Sequence, residues 1–169
     1  MAGLYFHIPF CKRICAYCDF YRSAELKYMD SVIEAMHSEL EEQAGYLNDK
    51  KIRTIYFGGG TPSLLPPAEL QHFIDHAAEL YDCNDVSEIT TEANPDDITA
   101  EYVKALRETA VNRVSLGVQS FDDDELRFMN RRHNASEAVK AVERLRKAGY
   151  DNLSIDIIFG IGGFPSDTL

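Results

Sequence analysis

The chain has 169 residues, 45% of them hydrophobic, a formal net charge of −11 and a sequence pI near 4.8. That is enough for one well-buried core; a surface this acidic repels phosphate backbones and disfavours nucleic acid as a partner, and no apolar run reaches the roughly 18 residues of a transmembrane segment. The opening MAGLYFHIPF has no basic stretch and no small-residue cleavage site of the export type, so the sequence predicts a cytoplasmic protein whose thiols stay reduced.

The first predicted element is a strand, GLYFHI at residues 3–8. Directly after it come Cys11, Cys15 and Cys18, three of the chain's four cysteines within eight positions. Met29, Val32, Ile33, Met36 and Leu40 then recur at helical spacing. A second strand, IRTIYF at 52–57, ends on Gly58-Gly59-Gly60-Thr61-Pro62 and leads to a helix carrying Leu70, Phe73, Ile74, Ala77 and Tyr81. The third strand, SEITTEA at 87–93, bears Glu92 near its tip and is followed by a helix from about Ala100 to Thr109. RVSLGV at 113–118 makes a fourth strand that runs into Gln119. The spacing Asn134-x-x-Glu137 predicts a capped helix start, with the stop at Gly149. LSIDIIF at 153–159 is the fifth strand and carries Asp156; residues 165–169 read as a further helix just starting, so the sequence reads as part of something longer.

Alternating strands and helices predict an α/β fold with a parallel sheet and right-handed crossovers. An open doubly wound sheet and a barrel of βα units both fit, although five strands cannot close an eight-stranded barrel. In either architecture ligands bind beyond the carboxyl ends of the strands, where the connecting loops converge. The cysteines, the glycine run, Glu92, Gln119 and Asp156 all fall at that end, which predicts a binding face there.

Three closely spaced thiolates can hold three irons of a cubane cluster and leave the fourth iron open to a ligand. A zinc knot with His7 or Cys83 as fourth ligand is the alternative. The glycine run has neither the Gly-Lys-Ser/Thr of a phosphate loop nor a GxGxxG pattern. It permits close backbone approach to a ligand, and equally a simple tight turn. Asp156 interrupts an apolar run, and a buried carboxylate is costly unless paired, which favours a site role. Cys83 reads as a structural thiol. His37, His72, His76 and His133 show no metal spacing with the cysteine loop.

Cys11-Lys-Arg-Ile-Cys15-Ala-Tyr-Cys18 matches the C-x₃-C-x₂-C signature of radical S-adenosylmethionine (SAM) enzymes. With Tyr5-Phe-His7-Ile-Pro-Phe-Cys11 before it, and GGGTPS, EANP, GVQSF, NRRH and IDIIFG following in order, the chain resembles the oxygen-independent coproporphyrinogen III oxidase family, which includes HemW-type haem chaperones. The resemblance covers essentially the whole chain. It implies an incomplete (βα)₆-type barrel of which about five βα units are present, residues 1–169 forming a radical SAM core that stops before the last strand and a C-terminal domain. It implies a [4Fe–4S] cluster on the three cysteines and one-electron cleavage of SAM to a 5′-deoxyadenosyl radical. SAM would be held by Gly59, Gly60 and Thr61 at its amino group, by Glu92 at the ribose, and by Gln119, Arg131 (at the methionine carboxylate) and Asp156. Tyr5 and Tyr17 would pack beside the cluster and the adenine.

Two departures stand out. The family's decarboxylating oxidases carry a further cysteine two residues after the third, where this chain has Phe20. Gly162 and Gly163 stand where the family more often has proline. The first departure points to the haem chaperone branch, whose partners would be haem, an electron donor and haem-acceptor proteins; a porphyrinogen oxidase is the alternative. A zinc-stabilised binding module and a radical SAM enzyme acting on RNA are the readings from other classes, the latter disfavoured by charge.

Overall fold

The computed structural model describes residues 2–164; the helix start expected at 165–169 lies outside them. Five strands, β1 (Ala2–Ile8), β2 (Ile52–Gly59), β3 (Glu88–Ala93), β4 (Arg113–Gln119) and β5 (Asn152–Ile157), form one parallel sheet in which each pairs with the next in sequence. Between them run α1 (Met29–Glu42), α2 (Pro67–Leu80), α3 (Ala100–Leu106), α4 (Asp123–Phe128) and α5 (Ala135–Lys147). Right-handed crossovers in a sheet whose order never reverses put every connection on the same side.

The strands therefore have two unlike faces. Alternate residues, among them Phe6, Ile8, Ile55, Phe57, Leu116 and Val118, are buried against Leu70, Phe73, Ala77, Leu106, Ala141 and Leu145 of the helices. The opposite face carries Tyr5, Tyr56, Glu92, Ser115 and Asp156. A doubly wound sheet is covered on both faces and its strands read as continuous apolar runs. The alternation here belongs to a sheet curling around a polar interior, a partial barrel. Phe73 anchors the apolar side: it is fully buried, with ring centroids 4.9 Å from Phe6 and 6.2 Å from Phe57.

Local chemistry sets the element ends. Asn134 and Glu137 form the expected capping box, each side chain accepting from the other's backbone N–H at 2.9 and 2.8 Å. α3 ends at Leu106, three residues before Thr109, whose hydroxyl donates to the Leu106 carbonyl at 2.7 Å and competes with further helix. The sequence reading missed α4. Asp122 caps it, accepting from the N–H groups of Asp124 and Glu125, but six residues are too few for a helical period to show.

Candidate cluster and cofactor site

A cleft at the carboxyl ends of the strands is lined by Cys11, Cys15, Tyr17, Cys18, Gly59, Gly60, Thr61, Glu92, Gln119, Arg131 and Asp156. Of the residues expected from the sequence, only Tyr5 is not part of its lining. Tyr5 stacks on Tyr56 with ring centroids 6.0 Å apart, and its hydroxyl hydrogen-bonds His7 Nδ1 at 3.0 Å. Its connection to the cleft is indirect, because Tyr56 in turn holds Glu92.

The cysteine loop leaves β1 and is closed by backbone bonds. Cys11 N–H donates to Ser23 O at 2.9 Å and Ser23 N–H to Pro9 O at 2.6 Å. A second set clamps the loop to the segment between α4 and α5: Ala16 N–H donates to Met129 O, the Asn130 side chain to Ile14 O at 2.7 Å, and Arg13 to Arg131 O at 3.3 Å. Burial pushes the Cys11 thiol up, and the Thr61 hydroxyl, 3.5 Å from its sulfur, pulls the other way. Arg131 Nη1 lies 3.3 Å from Cys15 Sγ. Arg13, Arg22 and Arg132 also line the cleft, a local cationic surplus in a chain of net charge −11. It suits thiolates and a carboxylate-bearing ligand.

The glycine run is a close-approach site. A Cβ on Gly60 would lie 2.7 Å from Phe10 O and 2.9 Å from Ile8 O, so only glycine lets β2 end against the cysteine loop. Gly59 has φ +110, and its N–H donates to Glu92 Oε2 at 3.1 Å while the Tyr56 hydroxyl donates to Oε1 at 2.8 Å. Glu92 is thus oriented with both oxygens still able to accept from the cleft. Burial raises its pKa, and the two hydrogen bonds only partly offset that. Gln119, at the tip of β4, is in the left-handed region at φ 71, beside a shift in the β4–β5 register. For a residue other than glycine this is a strained conformation of the kind concentrated at functional sites.

Asp156 was expected to be a buried carboxylate; it is exposed, with β5 pairing only with β4 among the described residues, although it lines the cleft opposite Gly117. The adjacent arginines, equivalent in sequence, have different tasks. Arg132 is ion-paired with Asp96 and Asp97 at 2.9 Å each. Arg131 is hydrogen-bonded to Asn94 Oδ1, Gly117 O and the Tyr17 hydroxyl, and its buried Nε has no partner among the described residues.

Sequence reasoning also missed Asp97. Its side chain is 3% exposed and receives Lys12 from the cysteine loop at 2.8 Å, Ser63 from the loop after β2 at 2.9 Å, and Arg132. The only signal was the acidic pair Asp96-Asp97 at a strand tip, which looks like solvated surface until its partners are known.

The residues present fit a cubane cluster with an open iron. Three thiols and the backbone of Gly59 to Thr61 line one cleft, and Arg131 has a donor without a partner among the described residues. A zinc knot fits less well. His7 Nε2 donates to Tyr21 O at 3.0 Å and Nδ1 accepts from Tyr5, so neither nitrogen is free to ligate. Cys83 lies between α2 and β3, at the opposite ends of the strands.

A half-barrel of parallel βα units with a three-cysteine loop at its carboxyl face defines an iron–sulfur, SAM-binding class of fold. Residues 5–169 match the Radical SAM superfamily, and the chain belongs to it. It is 43% identical over 159 residues to the heme chaperone HemW of Lactococcus lactis subsp. lactis (strain IL1403), covering 94% of this chain and 41% of that protein. It is 39% identical to the heme chaperone HemW of Bacillus subtilis (strain 168), covering 96% of this chain and 44% of that protein. The chain thus spans less than half the length of these relatives. Among solved structures, coproporphyrinogen III oxidase (HemN) from Escherichia coli superposes with a TM-score of 0.83 at 28% identity, over 94% of this chain and 37% of that one.

Removing the Asp97 carboxylate leaves Arg132 with only Asp96 and frees Lys12 and Ser63. Breaking a buried pair of this kind costs roughly 3–5 kcal/mol. Asp97→Ala should lower unfolding stability by that amount in a denaturant titration and loosen the cysteine loop, seen as faster loss of bound iron; an unchanged midpoint would count against the hub.

Proposed function

We propose that Cys11, Cys15 and Cys18 hold a [4Fe–4S] cluster, that the surrounding residues hold SAM, and that residues 1–169 are the radical SAM core of a cytoplasmic haem chaperone with a further strand and domain beyond them. The observation that carries the reading is the convergence of three thiols, the Gly59–Gly60 cradle, Glu92 and Arg131 in one cleft. When bound, the reduced cluster supplies the electron that breaks a carbon–sulfur bond of SAM. The protein's part is placement. Backbone groups of Gly59 to Thr61 meet the amino group, the Arg131 guanidinium meets the carboxylate, and Glu92 accepts from the ribose hydroxyls. Gln119 and Asp156 line the remaining wall, and Tyr17 shields the cysteine loop. No helix among the described residues is long and apolar enough to cross a membrane.

Haem delivery is favoured by the similarity to HemW proteins and by Phe20, which is 68% exposed and lines the cleft where the resembling oxidases carry a cysteine. The second reading, an oxygen-independent coproporphyrinogen III oxidase, is favoured by the superposition on HemN. In an anaerobic assay of the full-length protein with SAM, reductant and coproporphyrinogen III, haem should bind with no loss of carboxylates by mass spectrometry. Turnover with two carboxylates lost would replace the chaperone with the oxidase.

Purified without oxygen, the protein should be brown, with about four irons and four sulfides per chain. Alanine at Cys11, Cys15 or Cys18 should abolish the colour and Cys83→Ala should not. Colourless protein with one zinc would sink the cluster.

Glu92 also gives SAM binding a pH dependence. Its carboxylate must be ionised to accept both hydroxyls, and burial raises its pKa. Affinity should therefore fall as pH is lowered, and begin to do so above the ~4.3 at which a free glutamate titrates. Glu92→Gln should bind SAM more weakly and lose that pH dependence. A parent-like profile in the variant would remove Glu92 from the site.

A further inference from the structure

A second set of ligating side chains lies on the outer helical layer, formed by residues that do not line the cleft. On α1, His37 and Glu41 are four residues apart and share one helix face. On α2, Glu69, His72 and His76 follow at intervals of three and four and share another. The faces meet: His37 Nε2 lies 3.1 Å from Glu69 Oε1, His37 Nδ1 lies 2.8 Å from His76 Nδ1, and His76 Nε2 lies 3.2 Å from Glu41 Oε1. His72 Nδ1 approaches the same Glu69 oxygen at 3.4 Å. One ligand atom from each of His37, Glu69 and His72 falls within 4.8 Å of the others.

Counting ring protons shows what this cluster needs. Glu69, His37, His76 and Glu41 form a chain of three contacts, each requiring one hydrogen between its two atoms. Two neutral imidazoles supply only two, since each carries a hydrogen on one nitrogen. Closing all three contacts takes a third positive species, a proton or a metal ion. A proton bridges two atoms. At the Glu69 end three residues converge, an arrangement that a metal ion can occupy.

We propose that His37 Nε2, Glu69 Oε1 and His72 Nδ1 bind a divalent transition-metal ion of the zinc type, with water completing the coordination. Two imidazoles and a carboxylate are a common zinc donor set, and His72, whose side chain is 65% exposed, leaves the outer side open to solvent. The proton count then closes. His37 Nδ1–H donates to His76 Nδ1, and His76 Nε2–H donates to Glu41, an outer relay that fixes the ligand's tautomer. The His37 ring is already held in plane by stacking on Phe73, with centroids 4.0 Å apart and planes 3° from parallel. The ion would tie α1 to α2 on the side of the helical layer remote from the cleft.

The test uses the full-length protein with its iron–sulfur cluster loaded, so that the cysteine loop is occupied, stripped of loose metal and then titrated with Zn²⁺. One zinc per chain should be retained, with an X-ray absorption shell of nitrogen and oxygen at about 2.0–2.1 Å and no sulfur at about 2.3 Å. His72→Ala, at an exposed position, should weaken binding at least about 100-fold, and Glu41→Gln, in the outer relay, about tenfold. Zn²⁺ should raise the melting temperature of the parent but not of His72→Ala. No retained zinc would mean that a proton closes the chain; zinc with sulfur neighbours, or parent-like affinity in His72→Ala, would place the metal elsewhere. Each of these overturns the proposal.

Discussion

The architecture of the cleft depends on one buried carboxylate. Asp97 follows β3, yet its three partners come from the cysteine loop, the loop after β2 and the segment between α4 and α5. Each of those segments carries part of the cleft: the thiols, the Gly59–Thr61 cradle and Arg131. A buried charge is tolerated only when its acceptor sites are filled, so Asp97 is stable only when the three loops are in register. A carboxylate that is costly to bury alone thus couples the three loops that form the cleft. Lys12, half exposed, gains less from the pairing than Arg132, whose side chain is 14% exposed.

The sheet supplies the other constraint. Because every helix lies on one side, the opposite face has only polar or short side chains to offer, and these form their own hydrogen-bonded floor. Arg113 donates to Ser154 at 2.9 Å, and Ser154 donates to Ser115 at 3.0 Å, joining β4 to β5 beneath the cleft. Such a floor can face water or a polar cofactor, and a large polar cofactor such as SAM suits it where an apolar ligand would leave these groups unpaired.

All five strands, four of the five helices and the position of the cleft were legible in the sequence, because hydrophobic period and cysteine spacing are properties of neighbouring residues. What escaped depends on residues far apart. Asp97 meets Lys12 across 85 positions and Ser63 across 34, and no local pattern announces either contact. Asp156 shows the converse. Its interruption of an apolar run did mark a cleft residue, but the inference that it is buried assumed neighbours on both sides of β5, and among the described residues β5 pairs only with β4. The histidines of α1 and α2 were read only against the cysteine loop, to which they are unrelated, and their mutual spacing became visible once the helices were seen to pack together.

The divergence of Arg131 and Arg132 shows how the backbone separates support from ligand binding. Asn130, immediately before them, is left-handed at φ 58, a conformation that asparagine tolerates better than most residues. This turn lets Met129 O and the Asn130 side chain hold the cysteine loop while the next two side chains diverge. His133 then secures the far end: its Nε2–H donates to Val118 O at 2.9 Å, and burial depresses its pKa to about 4, so the ring is neutral with the proton on Nε2. Between these two anchors Arg132 is consumed by Asp96 and Asp97, and Arg131 is aimed into the cleft. Two adjacent cations with identical chemistry are thus made inequivalent by one left-handed turn and one neutral histidine: Arg132 is held by two carboxylates, while Arg131 is held by neutral acceptors and keeps an Nε without a partner among the described residues.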